Sequence, residues 1–369
     1  MRIRAAVLEE FGQPLAVREV DLAEPQASEM LVRLAACGVC HTDLYTAAGA
    51  DPSGYAPTVL GHEGAGIVER VGTDVTSVAP GDHVVTLFSP QCRECVHCLS
   101  DRTNLCLAIR EQQNQGFLPD GTTRLGRDGE SMRHFMGCST FAEYTVMPEI
   151  ALATVNPEAP PEHACLFACG LSTGLGAAMN TAKVTPGSTC VVFGAGMVGL
   201  GAVAGCRLQG AERIVSVDLA PRRLELAEGQ GATDTLVGGP DAVEQILELT
   251  DGFGADYTFE ATGNVEVMRQ AVESARMGWG LCTVAGVAGK GEVLEIVPRF
   301  LITGRRVAGS SFGGVKGRDQ VPQLVERALA GEIDVAPFVS HRIELDDVNH
   351  AFELMEAQDG IRSVIEFSN

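Results

Sequence analysis

The stretch VVFGAGMVGLGAVAG constrains this chain more than any other. An apolar run of strand character leads into Gly194, Gly196 and Gly199, spaced G-x-G-x-x-G, and a helical pattern follows. A second apolar run, RIVSVD, ends at Asp218, 22 residues past Gly196. A lone glycine triplet is a weak signal, but here it sits between a strand and a helix with an acid closing the next strand. That is the setting of a dinucleotide site, where glycines admit the pyrophosphate to the backbone and the acid takes the adenosine-ribose hydroxyls. A carboxylate at 218 repels a 2′-phosphate, so NAD is expected over NADP. GADYTFEAT, VEVMRQAVESARMG and GLCTVAGVAG continue the alternation of strand and helix, which argues a doubly wound parallel sheet over 171–304.

The first 170 residues have a different rhythm. EMLVRLAA, GAGIVERVG, GDHVVTLF and FAEYTVMP are short strand-like runs between Gly and Pro turns. After residue 305, RRVAGSSFGG and RIELDDVNHAFELMEA lead to a last strand, RSVIEF, and read as a return to the first domain. The expected organisation is a mainly β domain from 1–170 and 305–369, with the dinucleotide domain of 171–304 inserted into it. At 369 residues the chain is long enough for both cores.

With 27 basic against 48 acidic residues, the formal charge is −21. Such a surface repels phosphate backbones and anionic lipid, so neither nucleic acid nor a membrane is an expected partner. No apolar run is long enough to span a bilayer, and MRIRAAVLEEFGQ lacks a signal-peptide core, which predicts a cytoplasmic protein. Thiols stay reduced there, so the 12 cysteines need a role other than disulfides.

QCRECVHCLSDRTNLC answers part of that need: Cys92, Cys95, Cys98 and Cys106 form C-x2-C-x2-C-x7-C. One loop can wrap four thiolates around zinc with no position left for substrate, hence a structural ion. An iron–sulfur cluster is the other chemistry that four cysteines satisfy. CGVCH, residues 37–41, is more ambiguous, since the pattern fits a haem attachment site, a redox dithiol or a metal ligand pair. GHEGAG at 61–66 and ACGLSTG at 168–174 have bland readings when taken singly.

Taken together and in this order, CHTD at 40–43, GHEGAG, the four-cysteine loop, ACGLSTG and the glycine fingerprint resemble the zinc-dependent medium-chain alcohol dehydrogenases. The likeness runs end to end and is strongest to the class III branch, as AIREQQNQGFLPDGTTRL, HFMGCSTFAEYTV and SFGGVKG indicate. The resemblance implies an α/β protein, with a GroES-like, mainly β catalytic domain and a Rossmann cofactor domain. It also implies NAD and two zinc ions per subunit, one catalytic and one structural, in a homodimer or homotetramer. Cys40, His62 and Cys169 are then catalytic-zinc ligands and Cys37 is not. Thr42 accepts the alcohol proton, Asp43 orients His62, and Glu63 stands behind the metal as an aid to ligand exchange. His41 and Arg362 match pyrophosphate contacts, Arg223 an adenosine-ribose contact, and Thr173 and Val198 nicotinamide contacts. Tyr45 stands where liver-type relatives end a proton relay at histidine, and its high pKa makes it a poor shuttle.

Substrate choice rests on the pocket mouth. Class III relatives grip the charged ends of a glutathione adduct there. This chain keeps Asp51 and Arg110 but has Ser53, Leu107 and Met277 where those relatives carry Glu, Gln and Lys, with Arg276 as a candidate replacement cation. Each charged anchor is worth roughly 1–3 kcal/mol. Phe88, Leu107, Phe135, Met136 and Val287 suit an apolar slot, with Ser311 one polar group beside it. The balance favours a primary-alcohol dehydrogenase. A thiol-dependent formaldehyde dehydrogenase is the alternative, and a non-catalytic NAD-binding protein on the same scaffold is the third reading.

Overall fold

The computed structural model describes residues 1–51 and 54–368, so Ser53 lies outside the described residues. The chain divides into two compact units, one of residues 1–169, 316–331 and 335 onward, the other of 170–315 with 332–334.

The first unit is built on the strand Glu29–Val39. It pairs antiparallel with Glu63–Val71 along one edge, and with Tyr144–Pro148 and Arg362–Glu366 along the other. Met30, Val32 and Leu34 face one core, while Leu31, Cys37 and Val39 face another. Burial of both faces explains why EMLVRLAACGV is an apolar run rather than an alternating one. A small closed barrel, which includes Arg2–Leu8, Ala16–Leu22 and Glu130–His134, packs its interior into the second of these cores.

The second unit is a sheet of six parallel strands. Its order is Asp234–Val237, Arg213–Asp218, Thr189–Phe193, Tyr257–Glu260, Leu281–Val284, Arg306–Gly309. Numbered along the chain this is 3-2-1-4-5-6, the doubly wound order whose switch point lies between the first and fourth strands. Val191, Phe193, Val215 and Val217 point to one covered face, and Cys190, Val192 and Ile214 to the other.

One boundary differs from the sequence reading. Residues 306–309 do not return to the first unit; they pair parallel with Leu281–Val284 as the sixth strand, and the return begins at Lys316. As an edge strand, mostly exposed, RVAG lacks the continuous apolar signature of its neighbours. No helix among the described residues is long and apolar enough to cross a membrane.

Candidate active site

Register assembles the site. The central strand ends at Val39, and Cys40 follows as the cap of the helix His41–Ala47. Gly38 pairs with Glu63 on the neighbouring strand, which sets His62 beside Cys40. Cys169 arrives at the end of the buried turn Cys165–Ala168. The donor atoms of Cys40, His62, Glu63 and Cys169 all lie within 4.8 Å of one another. Cys37 is outside this cluster, with its thiol 3.1 Å from Thr140 Oγ1.

Asp43 is the buried hub. Its carboxylate accepts from the backbone N–H of Cys40 at 2.9 Å and of Gly61 at 3.1 Å, and lies 3.1 Å from His62 Nδ1. This partner puts the ring proton on Nδ1 and turns Nε2 to the cluster. Hydrogen bonding with Cys169 holds the Cys40 thiol well below the usual thiol range, and the same contact with burial holds Cys169 well above it. A cation held at the cluster would favour both groups as thiolates.

Glu63 is fully buried, and burial pushes its carboxyl up to about 8 against the pull of Arg362. Arg362 Nη2 lies 3.1 Å from Glu63 Oε1, and Nη1 donates to Val39 O at 2.8 Å. Gly38 is required here, since a Cβ at that position would sit 2.2 Å from Glu63 Oε2. Arg362, matched in sequence to a pyrophosphate contact, pairs through its two terminal nitrogens with Glu63 and the end of the central strand.

The rings of Phe88 and Phe135 stand steeply to that of His62, at 86° and 72°, with centroids 5.7 and 5.8 Å away. Gln113, which the sequence did not single out, ties this wall together. Its Nε2 donates to Phe88 O at 2.7 Å and to Met136 O at 2.6 Å. It ends the short helix Arg110–Gln113, which carries Arg110 at its start. Thr42 Oγ1 is 3.7 Å from Cys40 Sγ, and Thr46 donates to Asp51 Oδ2 at 3.0 Å. Leu107 is exposed, its amide tied to Cys95 Sγ, and Val287 is exposed in the second unit. Arg276 is no spare cation, because it pairs with Asp256 at 3.1 Å and stacks on Trp279.

The second cysteine group is as compact. Cys92 and Cys98 Sγ are 3.8 Å apart, and the four Sγ atoms lie within 4.8 Å of one another. A tetrahedron with zinc–sulfur bonds of about 2.3 Å has edges of about 3.8 Å, so these thiols fit zinc. Backbone amides point at the sulfurs: Cys95 N–H to Cys92 at 3.3 Å and Cys98 N–H to Cys95 at 3.4 Å. Burial resists ionisation of Cys95, yet the amides of Leu107 and Cys98 bring its thiol down to about 6.

In the second unit, a Cβ at Gly199 would stand 1.7 Å from Gly194 O, whereas nothing lies within 4 Å of one at Gly196. The turn is therefore closed on its inner side and open on its outer side, as a pyrophosphate cradle must be. Val198 and Gly199 lie in the first turn of the helix Met197–Leu208. Asp218 accepts from Ala195 N–H at 2.6 Å and Ala220 N–H at 2.9 Å, joining the glycine turn to the ribose end. Arg223 is half-buried near the start of the helix Pro221–Gln230, Thr173 is buried in Gly170–Gly176, and His41 is exposed.

Comparison with known proteins decides the family. Family models described as alcohol dehydrogenase GroES-like domain and zinc-binding dehydrogenase match residues 26–157 and 197–331. Full-length relatives called S-(hydroxymethyl)glutathione dehydrogenase are 51% identical in Synechocystis sp. and 50% in Escherichia coli O1:K1, covering 100% of both chains. The chain belongs to the zinc-dependent medium-chain alcohol dehydrogenases.

Among solved structures, this dehydrogenase is similar to an alcohol dehydrogenase zinc-binding domain protein from Burkholderia ambifaria, at TM-score 0.94 and 34% identity. Benzyl alcohol dehydrogenase from Acinetobacter calcoaceticus is similar at TM-score 0.93 and 31% identity; both likenesses cover 100% of each chain. The likeness to the 50%-identical relatives sets the enzyme on the class III side of the family. Its cofactors are NAD and zinc, and both cysteine groups and the glycine turn have the geometry to hold them.

Proposed function

We propose that this dehydrogenase oxidises the hydroxymethyl adduct of formaldehyde with a glutathione-type thiol, reducing NAD. The observation that carries the reading is the end-to-end likeness, at 51% and 50% identity, to relatives that bear that activity in their names. It outweighs the loss of polar anchors at 53, 107 and 277.

Bound at Cys40, His62 and Cys169, zinc supplies a Lewis-acidic position that acidifies a hydroxyl, and NAD supplies the hydride acceptor. The chain's own residues do the rest. Asp43 fixes the His62 ring through Nδ1 and also holds the Cys40 and Gly61 amides, so the ligand set keeps its shape through turnover. Thr42 Oγ1, beside Cys40 Sγ, accepts the substrate's hydroxyl proton while passing its own on to the nicotinamide ribose. Phe88 and Phe135 keep water from the reacting carbon. Arg362, 3.1 Å from Glu63 Oε1, holds that buried carboxyl in place behind the ligands. Asp51 and Arg110 hold the charged ends of the thiol. The four-cysteine group takes the structural zinc.

A second reading, a general primary-alcohol dehydrogenase, is favoured by the aromatic wall against His62 and by the likeness to benzyl alcohol dehydrogenase. NAD reduction by the purified enzyme separates the two. Formaldehyde with glutathione is expected to give a kcat/KM well above that of benzyl alcohol or octanol, and formaldehyde alone little turnover. Octanol outpacing the adduct establishes the second reading.

The partner is a second copy of the chain. Among the described residues Arg306–Gly309 is paired on one edge only, and the strand's Val307 and the preceding Leu301 and Ile302, the last 85% exposed, leave apolar surface uncovered. An open edge with such uncovered residues is a pairing surface. Light scattering is expected to show at least twice the chain mass of 38.8 kDa. A monomer at micromolar concentration rejects the edge pairing.

A further inference from the structure

Most arginines of this acidic chain are spent on carboxylates, as at Arg4, Arg33, Arg124 and Arg127. Two around the helix Arg110–Gln113 are not. Among the described residues no carboxylate lies within ion-pair distance of Arg110 or Arg133, although acids outnumber bases 48 to 27. Both belong to one assembly around the helix Arg110–Gln113. Gln113 joins that helix to the wall at Phe88 and Met136. Just past its end, Tyr55 Oη donates to Asn114 O at 2.6 Å and Arg133 Nη1 to Gln115 O at 2.9 Å.

Arg133 is held with unusual care for a half-buried side chain. Its guanidinium lies 4.0 Å from the Phe117 ring centroid and 5.4 Å from that of Tyr55. Stacking fixes the plane of the group and leaves its charge intact. Among the described residues, one of its five N–H donors is used, on Gln115 O. A planar cation, ordered in advance with donors to spare, is a carboxylate receptor whose ordering entropy is already spent. Along the chain it is two residues from Phe135, the ring against His62, and Tyr55 is four from Asp51.

We propose that Arg133, clamped by Tyr55 and Phe117, is a specificity-determining cation of the pocket mouth and binds a substrate carboxylate together with Arg110. It takes the place that the sequence offered to Arg276, which is occupied by Asp256. The inference rests on the thiol-adduct reading for the natural substrate but extends to any alcohol with a distant carboxylate.

The test compares the enzyme with Arg133→Met and Arg133→Lys on the glutathione–formaldehyde adduct, an ω-hydroxy fatty acid and octanol. Arg133→Met is expected to raise KM about ten-fold for both anionic substrates, the loss of a charge-assisted pair. Its kcat, its octanol KM and its NADH affinity should stay within two-fold of the parent, and Arg133→Lys should recover part of the loss. If octanol KM rises equally, Arg133 only braces the helix Arg110–Gln113 and the proposal fails. Unchanged KM for both anions also overturns it. Should the parent refuse the thiol adduct, the proposed natural substrate falls, and the hydroxy fatty acid still decides the role of Arg133.

Discussion

Cys40→Ser is expected to leave a folded protein that binds NADH and turns over no alcohol. Cys40 is buried, within 4.8 Å of the donor atoms of His62, Glu63 and Cys169, and the hydrogen bond with Cys169 holds its thiol well below the usual thiol range. A serine hydroxyl stays protonated where the thiolate was, so the cluster loses one negative charge and its softest donor. Loss of an outer partner of a metal site costs about 10–100-fold in affinity or activity. Loss of the donor itself should exceed that, a fall in kcat/KM of more than about 100-fold. The four-cysteine group shares no residue with this cluster, so zinc content should drop from two ions per chain to one. The glycine turn and Asp218 lie in the other unit, so NADH titration by fluorescence should be unchanged. Turnover within ten-fold of the parent refutes the assignment of Cys40.

The sequence exposes whatever is local. The glycine turn, Asp218 and the four cysteines each lie within a short span whose spacing is itself the chemistry, and the structure keeps every one of those spacings. The resemblance supplied Cys40, His62 and Cys169, which no periodicity joins. What stayed hidden depends on register across the sheet. Gly38 has no local reason to be glycine; its reason is the Glu63 carboxylate opposite, 25 positions along the chain, and pairing alone brings them together. Gln113 looks like any polar helix residue until its amide is seen on two carbonyls. Arg276 looked free because Asp256, on the far side of an intervening helix, carries no sequence sign of facing it. Edge strands fail for the converse reason: Arg306–Gly309 is a true strand without the burial that makes strands legible.

Arg124→Met tests another hidden contact and should be the most destabilising change in the first unit. Arg124 and Glu29 keep only 3% and 4% of their side-chain surface exposed. Nε donates to Glu29 Oε2 and Nη2 to Oε1, both at 2.7 Å, and Nη2 also reaches Asp120 at 2.6 Å. Glu29 opens the central strand that ends beside Cys40, and Arg124 ends the segment 110–124 that begins at Arg110, so this fork ties that segment to the strand. Removing the cation strands a buried carboxylate, which costs about 3–5 kcal/mol. A mere surface pair would cost under about 1 kcal/mol, so a urea midpoint near that of the parent rejects the argument. The pH dependence has a defined sign. Burial alone would raise the Asp120 carboxyl, but Arg124 and Thr122 outweigh it and hold the group below its usual 3.8. The stability from Asp120 is therefore full above its unfolded pKa and is lost as pH falls through the lower folded value. Arg124→Met should flatten that acid limb. Adding Glu29→Gln to Arg124→Met removes the stranded charge and should restore a good part of the loss, because the penalty belongs to the unpaired ion and not to the missing bridge.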